Sequence, residues 1–171
     1  MTYQTGHVTP WWDQSFKELD YQYGTFVNND DVDTWTAQGF GRLRLNGAHY
    51  PSSRPMPEYT DRFQTWAGWS NVSLTFYRLS TCEALPTHRD RFIRYQKLHH
   101  VVDPTTIYRC IVFLEDWRSG HYFEIDGVPV MPWKAGDWVT WQYDTPHYAG
   151  NFGIDPRYTL QITGIDLHKQ F

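Results

Sequence analysis

The sequence predicts a mainly β fold, a jelly roll or related barrel, on three observations. Aromatic residues make up 18% of the 171-residue chain, with 9 Trp and 12 Tyr, a composition that favours pleated sheets around a deep aromatic interior over a helical bundle. From Asn71 onward, short β-forming segments alternate with turns at the spacing of an all-β barrel. Residues 106–114 are continuously β-forming, as expected of a strand buried on both faces. A chain of this length reads as a single domain, 1–171, large enough to bury about two thirds of its unfolded surface. Residues 1–70 are expected to be helical and irregular support, and residues 71–171 the β core. There is no repeat, low-complexity tract or linker to divide it.

Taken in order, Asn28-Asn29-Asp30-Asp31 reads as a helix start or turn, because short polar side chains cap free N–H groups. A short helix over 31–38 would end at Gly39. Residues 51–57, with three prolines, form a loop, and 58–66 a second short helix stopped near Gly68. Residues 72–79 alternate as a strand, 80–86 break it, and Thr87-His88-Arg89-Asp90 follows. Residues 91–104 are a polar excursion. After the strand at 106–114 come a turn at 115–120, strands at 122–126 and 128–131, a tight turn at Lys134-Ala135-Gly136-Asp137, and strands at 138–142 and 158–164.

Charge and cysteine content exclude some functions. A formal net charge of −4 leaves no basic footprint for a nucleic-acid backbone, although Arg89, Arg91, Arg94 and Lys97 form a local basic patch. Two cysteines make no disulfide framework, and no apolar run is long enough to span a bilayer. A cytoplasmic, reducing setting is the expectation, with no membrane partner.

The chemistry is expected at His88 and Asp90. Two residues apart on an extended backbone, their side chains point the same way, which makes half of a metal site. His147, in Asp144-Thr145-Pro146-His147, is the candidate third ligand. Two imidazoles and one carboxylate on one face of an ion leave the opposite face open, the arrangement of non-haem Fe(II) oxygenases.

At this point the pattern, over residues 71–165, resembles the Fe(II)- and 2-oxoglutarate-dependent oxygenases, in particular their prolyl-hydroxylase-like branch. A strand tyrosine, Tyr77, precedes the His-X-Asp of His88 and Asp90. Tyr108 to Trp117 resembles the family's Arg-led strand with its corner and Trp. Gly120 to Ile125 takes the place of its Gly-Gly strand, with His121 where a second Gly is usual. Trp133 to Val139 resembles its Pro-Lys-X-Gly-X turn, and His147 is followed by Arg157 where the family carries a basic residue that holds the co-substrate.

The resemblance implies a double-stranded β-helix, cupin-like, with N-terminal helices buttressing one sheet. It implies Fe(II) held by His88, Asp90 and His147, 2-oxoglutarate as co-substrate, and ascorbate as a helpful reductant. Arg157 would grip the distal carboxylate of the keto acid through two parallel hydrogen bonds. Thr159, on the same face of the strand, and the Tyr77 phenol would add donors. Arg109 is a second-choice anion ligand or substrate contact. Because a buried Arg with no anion is costly, one of the two arginines should be structurally paired and the other functional. The expected reaction is hydroxylation of a C–H bond of an amino-acid side chain, in a small molecule, peptide or protein. A nucleic-acid demethylase of this fold fits less well, since that branch carries two arginines further downstream and none follows Arg157. Two other classes compete: a jelly-roll module whose Trp and Tyr residues stack on sugars, and a cupin-like metalloprotein with a different reaction. His99 and His100, adjacent and therefore on opposite faces of a strand, are read as surface residues, and the place of His121 is left open.

Overall fold

The computed structural model describes residues 3–24, 29–42 and 44–167, with backbone alone at 29, 30, 42 and 44. Its strands, numbered along the chain, form two sheets. The larger runs β1 (Tyr3–His7), β10 (Asp137–Gln142), β7 (Ile107–Phe113), β12 (Arg157–Ile165), β5 (Ser70–Leu79), β4 (Ala48–Pro51) and β2 (Gln22–Tyr23). The smaller runs β3 (Arg44–Leu45), β6 (Glu83–Arg89), β11 (Pro146–Asn151), β8 (His121–Ile125) and β9 (Val128–Pro129). Neighbours pair antiparallel except β3 with β6. Two sheets built this way form the double-stranded β-helix expected from the sequence.

Side-chain alternation gives each face of the larger sheet its own core. Leu74, Phe76, Tyr108, Cys110, Val112, Leu160 and Ile162 point outward against Phe16, Tyr21, Phe63 and Trp69. Residues 11–21 and 56–69 therefore buttress this sheet, whereas Trp35, Val32 and Phe40 pack with the inner cluster instead. Leu79, Ile111, Phe113, Val139 and Trp141 point inward against Leu85, Phe123, Ile125 and Ala149 of the smaller sheet. Tyr77, Arg109, Arg157, Thr159 and Gln161 also occupy inward positions of β5, β7 and β12, and these make the wall of the site.

Three helices complete the fold: α1 (Asn29–Ala37), α2 (Asp61–Trp66) and α3 (Ile93–His99). Gly39 takes φ +97 after α1, the left-handed stop that glycine accommodates without strain; the expected cap at Asn28 lies outside the described residues. Some elements differ from the sequence reading. Residues 83–89 are a strand, so the break after β5 shrinks to a turn around Cys82, which adopts φ +62. Residues 146–151 form β11, in the centre of the smaller sheet. The polar excursion at 91–104 contains α3, which places His99 on a helix, and β1 adds a strand to the edge of the larger sheet. No helix among the described residues is long and apolar enough to cross a membrane.

Candidate metal and co-substrate site

Strand pairing puts the three candidate ligands together. His147 on β11 sits directly across from His88 on β6, and Asp90 follows one residue beyond the end of β6. The two imidazole rings lie 4.2 Å apart, His147 Nε2 is 3.7 Å from Asp90 Oδ2, and one potential ligand atom from each residue lies within 4.8 Å of the others.

Both histidines are aimed through their other nitrogen. His88 Nδ1 lies 2.8 Å from the Pro86 carbonyl and His147 Nδ1 lies 3.0 Å from the Thr145 carbonyl. A carbonyl only accepts, so each Nδ1 carries the proton, and each Nε2 keeps its lone pair toward the shared space. Burial, reinforced by the neighbouring His88, pushes the His147 pKa down to about 3, and a neutral imidazole is the form that binds a metal. The Trp141 ring lies 4.8 Å from that of His147, and the Trp35 indole donates to the Thr87 carbonyl at 3.2 Å with its ring 5.9 Å from that of His88. These two indoles fix the imidazole planes.

Asp90 is held ionised. Burial opposes its charge, but Arg109 and the two imidazoles outweigh burial and lower its pKa. Arg109 Nη2 is 3.2 Å from Asp90 Oδ2, and Arg109 Nη1 donates to Gln161 Oε1. Arg109 is thus the paired arginine.

Arg157 is the other kind. It is 3% exposed, its guanidinium carbon lies 5.4–5.7 Å from the ring centres of Phe113, Phe123 and Trp133, and its Nε and Nη2 have no hydrogen-bond partner. Burial pulls its pKa down to about 9, so it stays charged at neutral pH. A caged cation with two free donors fits an anionic ligand. The ligand set of His88, Asp90 and His147 likewise fits a divalent first-row metal.

Tyr77 and Thr159 are register partners on β5 and β12 and both face inward. The Tyr77 hydroxyl donates to Asn46 Oδ1 and accepts from the Gly47 amide at 3.1 Å. His121 is buried at the far side of the Arg157 cage: its Nε2 donates to the Asp155 carbonyl at 2.9 Å and its ring stacks on Trp133. Gln161, Trp133 and Asn46 are site residues that the sequence reading did not single out. Gln161 was findable, since it shares the alternation of Arg157 and Thr159; Asn46, in an irregular stretch, carries no such signal.

The double-stranded β-helix fold of this chain is shared with solved α-ketoglutarate-dependent enzymes. Among solved structures the chain is similar to the α-ketoglutarate-dependent carbocyclase SnoK from nogalamycin biosynthesis, at a TM-score of 0.59 and 10% identity over 96% of this chain and 80% of that one. It is also similar to a Pseudomonas putida prolyl-4-hydroxylase, at a TM-score of 0.54 and 17% identity over 80% and 83% of the two chains. The α-ketoglutarate-dependent epimerase SnoN, also from nogalamycin biosynthesis, gives a TM-score of 0.52 and 14% identity over 82% and 75%. No protein-family profile and no curated protein sequence matches the chain.

Proposed function

We propose that this chain is an Fe(II)- and 2-oxoglutarate-dependent dioxygenase that hydroxylates a C–H bond, with an amino-acid side chain, free or in a peptide, as the favoured substrate class. The single observation that carries the reading is the pairing of a His-Asp-His cluster with a buried guanidinium, Arg157, that has no counter-ion among the described residues. Solved structures with this fold include 2-oxoglutarate-dependent enzymes, which supports the general kind of reaction.

His88, Asp90 and His147 would hold the metal, and Arg157 would bind the distal carboxylate of 2-oxoglutarate with its free Nε and Nη2 donors. Fe(II) with 2-oxoglutarate and dioxygen supplies the chemistry, in which one oxygen atom enters the substrate as hydroxyl and the other enters succinate as carbon dioxide leaves. The protein supplies position. The Pro86 and Thr145 carbonyls hold the imidazoles in one tautomer, Arg109 keeps Asp90 ionised and oriented, and Phe113, Phe123 and Trp133 exclude water around Arg157, which strengthens its grip on a carboxylate.

Protein incubated with Fe(II), ascorbate and carboxyl-labelled 2-oxoglutarate is expected to release labelled carbon dioxide above a His88→Ala control. No release above that control across a broad panel of amino acids and peptides would overturn the reading. A cupin-like metalloprotein with another reaction shares the triad but gives no role to Arg157. Calorimetric binding of 2-oxoglutarate in the presence of Mn(II), lost in Arg157→Ala, separates the two.

A further inference from the structure

A cavity of about 620 Å³ lies between α1 and the outer face of the smaller sheet. Its chemistry differs from that of the site above. Trp35, Phe40 and Pro86 supply an apolar end. Tyr122, Tyr148, Phe152 and Glu124 supply an aromatic and acidic end, and Asp31 also lines the cavity. No Lys, Arg or His is among the residues lining it.

The acidic end follows from strand register. Tyr122 and Glu124 alternate on β8, opposite Gly150 and Tyr148 respectively on β11, so all four positions share the outer face. The Tyr122 and Tyr148 rings meet at 5.1 Å and 62°, two walls of a box. Gly150 contributes no side chain, and the Phe152 ring folds over the gap: a Cβ there would stand 2.9 Å from Phe152 Cε2 and 3.3 Å from the Tyr148 hydroxyl. Phe152 is nevertheless 51% exposed, so one face of its ring is accessible from solvent. The Glu124 carboxylate, accepting from the Tyr122 hydroxyl, sets a negative charge at the floor.

We propose that this cavity binds an alkylammonium group, the cationic head between the Tyr122, Tyr148 and Phe152 rings beside Glu124 and the alkyl stem toward Trp35 and Phe40. Aromatic faces carry negative potential and attract ammonium and quaternary ammonium ions, more strongly when the ion is partly desolvated. A carboxylate at the same end adds charge complementarity that an anionic or neutral ligand would lack. The apolar end rewards a ligand with a hydrocarbon stem rather than a bare metal cation. The binding requires no metal at His88, Asp90 and His147, so it goes beyond the proposed reaction.

The test is titration of metal-free protein with butyltrimethylammonium and, in parallel, with 3,3-dimethylbutan-1-ol, a neutral probe bearing a similar branched head, read by calorimetry and by the fluorescence change of the tryptophans. Saturable binding of the cation is expected, with the alcohol at least about tenfold weaker. Tyr148→Ala and Glu124→Gln should each weaken the cation by about three- to tenfold. Because Tyr148 is partly buried, the exposed Phe152→Ala serves as the variant least able to disturb folding and should also weaken it. No saturation by the cation, equal binding of the two probes, or affinity unmoved in both Glu124→Gln and Phe152→Ala would overturn the proposal.

Discussion

Arg109 Nη2 lies 3.2 Å from Asp90 Oδ2, so the carboxylate that would ligate a metal is already neutralised by a side chain from the opposite sheet. The pair orients Asp90, and it also competes with any cation for the same oxygen. Removing the arginine should therefore act in opposite directions on the free and metal-bound protein.

In Arg109→Met the carboxylate loses its strongest charge partner while it stays largely buried. Metal-free protein should lose about 1–3 kcal/mol of stability, the usual cost of stranding one member of a hydrogen-bonded charge pair. The rise in Tm on adding Mn(II) should then be larger than in the wild type. Differential scanning fluorimetry with and without Mn(II) checks both parts, and an unchanged metal-free Tm would show that Asp90 does not depend on Arg109.

Arg157 predicts the reverse. It is a buried charge with no anion, and burial disfavours its protonated form. Arg157→Met places an apolar chain of similar length among Phe113, Phe123 and Trp133. The free protein should gain stability, on the order of 1–3 kcal/mol, and a few degrees of Tm follow for a chain of this size. The variant should lose the further stabilisation that 2-oxoglutarate gives the Mn(II)-loaded wild type. A variant that is less stable without ligand, yet still stabilised by the keto acid, would remove Arg157 from the site.

His121 gives a pH dependence. Burial pushes its imidazole below the ordinary value of 6.5, with the Arg157 charge acting in the same direction and the Asp155 carbonyl opposing. The folded protein thus rejects a proton that the unfolded chain accepts. The stability that neutral His121 contributes is complete above about pH 6.5 and is lost as the pH falls below it. His49 and His147 are shifted the same way, so Tm should decline between pH 7 and pH 5. His121→Phe, which keeps a ring against Trp133, should begin about 1 kcal/mol lower at pH 7 for its lost hydrogen bond but decline less steeply. Parallel Tm profiles for wild type and variant would assign the acid sensitivity to the other two histidines.

The tight turn before β10 depends on one residue. Gly136 has φ +94, and a Cβ built there would stand 2.0 Å from the Val8 carbonyl oxygen. Gly136→Ala combines an unfavourable backbone with a collision against backbone, and should cost more than about 2 kcal/mol. Chemical denaturation measures it, and a cost below about 0.5 kcal/mol would mean that the turn relaxes freely.

The strands legible in the sequence are those whose residues alternate or run continuously apolar. β5, β7, β10 and β12 each pair on both sides and carry branched or aromatic residues. β6 was obscured by Pro86, which interrupts the pattern, and β11 by its Gly and Asn, although it lies at the centre of its sheet. α3 has no buried residue and therefore no apolar stripe, and it is bounded by Phe92 at φ +49 and His100 at φ +51 instead of the usual capping residues. The metal cluster was legible because His-X-Asp is local and His147 stands in a recognisable order after it. The aromatic cage around Arg157 was not, because Phe113, Phe123 and Trp133 come from three separate segments and read individually as core.

The alternation of β12 ties chemistry and cohesion into the same nine residues. Arg157, Thr159 and Gln161 look into the barrel while Tyr158, Leu160 and Ile162 cement the N-terminal cover, so a slip of one position would exchange every reactive group for a grease-facing one. Odd and even letters of this strand answer to different demands. The first set carries the guanidinium of Arg157 and the Gln161 contact to Arg109, and the second carries the packing against the cover, so a substitution on this strand acts on one or the other according to its parity.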